Sequence, residues 1–75
     1  MTRTDLIAET ESLTDAIFSG EFATVATRLA EYIAAGELAE RDIAILRVLI
    51  IALGGNLSDV QADDVAALLF DTFEF

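Results

Sequence analysis

The chain has 75 residues, of which 55% are hydrophobic, and sets fourteen acids against four arginines and no lysine, for a formal net charge of -10. That length holds one domain at most and buries only roughly 60 to 65% of the extended surface, so the expected core is thin. The charge disfavours direct contact with nucleic acid or an anionic membrane, since both need cationic side chains facing phosphates. With no cysteine and no histidine, disulfides, thiolate metal sites and the commonest general base are excluded.

The glycines Gly20, Gly36 and Gly54-Gly55 divide the chain into four segments. Each follows a stretch that reads as helix, and a left-handed cap costs glycine least. With no proline to impose a kink, the chain is expected to be all-α. The architecture predicted is a small three- or four-helix bundle completed by self-association, with helices over about 5–19, 21–35, 38–53 and 58–72.

The first segment has Thr4 as its cap and Asp5 in the first turn. Leu6, Leu13 and Ile17 share one face, joined through Thr10, while Glu9, Glu11 and Asp15 look outward. In the second, Ser19 is the expected N-cap, and Phe22, Val25, Ala26, Leu29 and Ile33 follow the spacing of a buried face. Tyr32 borders that face.

The third segment carries an apolar surplus. Between Ile43 and Leu53 the only polar side chain is Arg47. Ile43, Leu46, Ile50 and Leu53 form one stripe, and Ile45, Val48, Leu49 and Ala52 form another. The β-branched residues also suit a strand, but no second strand is available to pair with it. Two apolar stripes on one helix call for two covering surfaces. The expected second surface is another copy of the chain, making Ile45, Val48, Leu49 and Ala52 a self-association seam and a dimer the first oligomer to test.

In the fourth segment Ser58 and Gln61 have the spacing of a capping box, with Asp59 in the first turn. Asp63 and Asp64 could restart a helix there, so one or two helices fit. Phe70, Phe73 and Phe75 are more aromatic than a solvated terminus needs. They are expected to fold back on the core or to bind a partner.

No reaction can be read from these residues. Asp59, Asp63 and Asp64 lack the alternating ligands and terminal glutamate of a calcium loop, and Gly54-Gly55 lacks the lysine of a phosphate-binding loop. In size, acidity and helical content the chain is similar to acyl carrier proteins. However, Ser12 in "ESL" lies inside the first predicted helix and Ser58 in "LSD" opens the last, whereas that family's prosthetic-group serine opens the second helix. The likeness therefore implies no site and no cofactor.

The expectation is a non-enzymatic interaction module without metal or cofactor, acting on a protein partner through Phe70, Phe73, Phe75 and the acids Glu9, Glu11, Asp15, Asp59, Asp63 and Asp64. A basic protein is the natural partner for such a charge. Two alternatives stand beside it. One is an acidic mimic of nucleic acid that inhibits a nuclease or another nucleic-acid-binding protein, as small phage proteins do. The other is a permanent structural or assembly subunit. No signal peptide is recognisable, and the apolar run is shorter than the roughly 20 residues of a membrane span. A cytoplasmic location is therefore expected.

Overall fold

The computed structural model describes residues 1–73, which form four helices and no strand among them: α1 (Arg3–Phe18), α2 (Phe22–Ala35), α3 (Glu40–Leu53) and α4 (Asp59–Phe73). Helix α1 packs most extensively on α4 and α2 on α3, and the α1–α2 and α3–α4 contacts close the bundle. The core is drawn from all four: Leu6 and Ile17 of α1, Val25, Leu29 and Tyr32 of α2, Leu46 and Leu49 of α3, and Ala66, Leu69 and Phe73 of α4. The radius of gyration, 11.1 Å, equals the roughly 11 Å of a compact 75-residue chain.

The helix ends follow local chemistry, though not always at the expected residue. Helix α1 is capped by Thr2 rather than Thr4: the Thr2 hydroxyl accepts from the Asp5 N–H at 3.3 Å, and the Asp5 carboxylate accepts from the Thr2 N–H at 2.9 Å. This reciprocal box satisfies two orphan donors where a cap at Thr4 would satisfy one. Ser19 caps the C-terminus of α1 instead of opening α2. Helix α2 starts after Glu21, with no side-chain cap, because the turn at Gly20 separates Ser19 from it.

Gly20 and Gly36 take positive φ, 80° and 72°, as left-handed stops require. Gly54 does not. It stays right-handed at φ -76°, and its N–H donates to the carbonyls of Ile50 and Ile51, tightening the last turn of α3. The box at Ser58 forms, with Ser58 N–H donating to Gln61 Oε1 at 3.0 Å and Gln61 N–H to Ser58 Oγ at 3.3 Å. From there α4 runs unbroken through Asp63 and Asp64 to Phe73.

Helix α3 resolves its apolar surplus differently from the two-stripe reading. Its innermost line is Asp42, Leu46, Leu49 and Leu53, one row assembled from members of both stripes. Ile43, Ile45, Ile50 and Ala52 are half-buried flanks packed on the core, because α2 and α4 both lie against this helix. Leu49 is 1% exposed and belongs to the chain's own interior rather than to its surface. Of the four proposed seam residues only Val48 faces outward, together with Ala44 and Ile51.

Asp42 is 4% exposed, an uncommon state for a carboxylate unless it is paired. Arg3 Nε donates to Asp42 Oδ2 at 3.1 Å. The same guanidinium donates to the Thr72 carbonyl at 3.3 Å and lies 5.6 Å from the Phe73 ring centroid. One side chain thus ties together the starts of α1 and α3 and the end of α4. Phe73 is buried in this arrangement, which removes it from the expected partner-binding surface: the antiparallel packing of α1 and α4 turns it inward beneath Arg3. Phe75 lies outside the described residues.

Candidate protein-binding groove

The two flanks of α1 carry different chemistry. Toward α2, Glu9 receives both Nε and Nη2 of Arg28 in a forked ion pair, with Glu9 Oε2 2.9 Å from Nε. Arg28 also reaches Glu31 at 3.4 Å and lies 5.4 Å from the centroid of the buried Tyr32 ring. The Arg28 hydrogen bond holds the Glu9 carboxyl below its ordinary value, and Glu9 in turn holds the guanidinium above its own. Burial, followed by the Glu9 charge, pushes the Tyr32 hydroxyl up. Arg28 thus pairs the acids on either side of it at the margin of a hollow of about 610 Å³ between α1 and α2 that Ser12, Ala16 and Glu21 also line, and Glu9 is not the outward-looking acid that its spacing suggests.

Toward α4, α1 presents Thr14 and Phe18 to the outer side of the helix pair. Phe18 is 60% exposed and Phe70, on α4, 42% exposed. A hollow of about 360 Å³ lies between them, floored by Ala66 and Ala67 and bounded by Thr14, Asp63 and Asp71. Another hollow of about 310 Å³ continues from Phe18 and Asp63 toward Phe22, Gly20 and Asp59. The two share Phe18 and Asp63 as walls, so they adjoin along the α1–α4 seam and are together termed the groove.

The helical register of α4 explains the groove's make-up. Asp59 and Asp63 are four residues apart and lie on one side of α4, while Asp63 and Asp71 stand about 80° apart around the helix and flank Ala67. Ala66 and Ala67 between them are too small to fill the space beside Phe70. No arginine lines either hollow of the groove. The groove therefore combines apolar walls and exposed rings with uncompensated carboxylates.

The expected binding residues are divided by this geometry. Phe70, Asp59 and Asp63 come together in the groove, while Glu11, Asp15 and Asp64 are exposed but line neither hollow. Glu9 is engaged by Arg28, which interrupts the α1 acidic row proposed to imitate phosphates. Phe18, Ala66, Ala67 and Asp71 were not expected from the sequence. Phe18 could have been found, since it sits beside Ile17 at the edge of the inner face, immediately before the α1 stop.

Among the described residues no cluster of three carboxylates is close enough to hold a metal ion, and no helix is long and apolar enough to cross a membrane. Comparison with protein-family models, curated proteins and solved structures finds no match to this chain.

Proposed function

We propose that the protein is an interaction module that acts by binding, without catalysis, and that the α1–α4 groove is its binding face. The observation that carries this reading is the pair of exposed rings, Phe18 and Phe70, around a hollow whose charged edge, Asp63 and Asp71, has no cation beside it. Aromatic side chains left in solvent lose the stabilisation that burial would provide, roughly 1.5 to 3 kcal/mol for a large side chain. A partner that covers them recovers it. The aspartates select for that partner's charge: a segment with an apolar ridge flanked by lysine or arginine meets both requirements, and an acidic one is repelled.

An 18-residue amphipathic helical peptide of leucine and lysine, titrated into the labelled protein and followed by amide chemical shifts, tests this. Shifts should concentrate at Thr14, Phe18, Ala67 and Phe70. Replacing both Phe18 and Phe70 by Ala should weaken binding by roughly tenfold or more, as for buried aromatic anchors. Asp63→Asn with Asp71→Asn should weaken it roughly three- to tenfold, the range for two partly exposed pairs, and added salt should do the same. Shifts dispersed over all four helices, or insensitive to the phenylalanines, would refute the groove.

A further inference from the structure

The outer face of α3 has the chemistry that the groove selects. Ala44, Val48 and Ile51 recur at four- and three-residue intervals on the side opposite Leu46 and Leu49, with Val48 59% and Ile51 77% exposed. They form an apolar ridge flanked by Arg41 and Arg47, both exposed. The other two arginines are committed, Arg3 to Asp42 and Arg28 to Glu9 and Glu31. Among the described residues neither Arg41 nor Arg47 has a carboxylate within 4 Å. A chain with fourteen acids thus keeps its two unpaired cations on one helix face, beside its most exposed isoleucine.

We infer that the α1–α4 groove of one molecule receives the outer face of α3 from a second copy of the chain, Val48 and Ile51 seating between Phe18 and Phe70 while Arg41 and Arg47 meet Asp63 and Asp71. This rests on the groove reading and names its occupant. The dimensions agree: residues 41–51 span about 15 Å along α3 and residues 59–71 about 18 Å along α4. Pairing groove with groove brings aspartates against aspartates. The unlike pairing sets each groove against a cationic α3 face, and it closes either as a two-fold dimer that makes both contacts reciprocally or as a head-to-tail ring or chain. The contact is small and draws on few side chains, which places it among weak, concentration-dependent associations.

Reciprocal charge reversal is the test, with mass in solution read by light scattering from about 10 µM to 1 mM and circular dichroism verifying helix content. The parent should gain mass continuously with concentration. Asp63→Arg with Asp71→Arg should remain monomeric, as should Arg41→Glu with Arg47→Glu, each now placing like charges in the contact. An equimolar mixture of the two should associate again, since each groove then meets an α3 of opposite sign. Net charge alone predicts otherwise: the aspartate reversal reduces the overall negative charge and would then associate more than the parent. A parent that is monomeric at 1 mM, or a mixture that stays monomeric, overturns the proposal. If the leucine–lysine peptide still binds the groove in that event, the groove reading stands and its occupant is another protein; if the peptide also fails, both fall.

Discussion

Helix α1 has one flank whose acids Glu9 and Glu31 are paired by the chain's own arginine and one whose acids stand without a cation. On the α2 side, Glu9, Arg28, Glu31 and Tyr32 form a closed set in which each charge has a neighbour of opposite sign. On the α4 side, Asp59, Asp63 and Asp71 stand along a groove with exposed phenylalanines and no arginine. Total charge therefore says little about which acids are available to a partner. Four arginines cannot answer fourteen acids, and their placement decides which surface stays unsatisfied.

The largest expected effect comes from the interior that both flanks share. Leu49→Ala and Leu69→Ala each remove a fully buried side chain and should cost about 2 to 5 kcal/mol in urea unfolding. If Leu49→Ala were instead mild in the monomer and abolished association, α3 would be packed differently from the arrangement described here.

Breaking the tie at the base of the bundle ranks next. Arg3→Met leaves the Asp42 carboxylate buried without its partner and should cost about 2 kcal/mol, below the full penalty for a buried pair because Arg3 is itself half exposed. Adding Asp42→Leu should recover most of that loss in the same unfolding measurement. Failure to recover it would mean that Arg3 acts through Phe73 and the Thr72 carbonyl more than through the charge.

Matched neutralisations on the two flanks compare them directly. Arg28→Met strands Glu9 and should lower the urea midpoint. Asp63→Asn relieves repulsion along the α4 edge and should leave the midpoint unchanged or raise it slightly, while weakening binding of the cationic peptide. Equal destabilisation by both would erase the distinction between a paired and an unpaired flank.

The smallest effect is the pH dependence that Glu9 contributes on the α2 flank. The Glu9 carboxyl titrates below its ordinary value of 4.5 when folded, so the unfolded chain binds the proton more readily. Its contribution to stability is complete above that value and is lost as pH falls through the depressed folded pKa. The stability difference between the parent and Glu9→Gln should therefore be constant near neutrality and shrink in acid. Denaturant midpoints from pH 6 to pH 3 (about the range over which glutamate titrates) would show it, and a difference independent of pH would assign the pair no electrostatic role.

Much of the fold was legible in the chain because it depends on short-range regularities. Glycine at 20 and 36 stops helices by tolerating positive φ, and Ser58 with Gln61 closes a capping box within one turn. The spacing of Val25 and Leu29 likewise records an inner face. The misplaced features involve choices that neighbouring sequence cannot make. Thr2 and Thr4 are both competent caps, and only the reciprocal bond with Asp5 separates them. Asp42 reads as a first-turn acid until Arg3, 39 residues away, is brought to it.

The sequence by itself determined the helical class, the three stops and the shortage of cations, since propensity, periodicity and charge are properties of residues and their near neighbours. Tertiary structure decided which apolar residues of α3 are interior: α2 and α4 together cover Leu49 and leave Val48 and Ile51 outside. It also decided which acids are spoken for, closing Glu9 with Arg28 and leaving Asp63 and Asp71 beside Phe70. The physical reason is reach. Burial and charge pairing act over a few ångströms in space, between residues whose distance along the chain carries no trace of their contact.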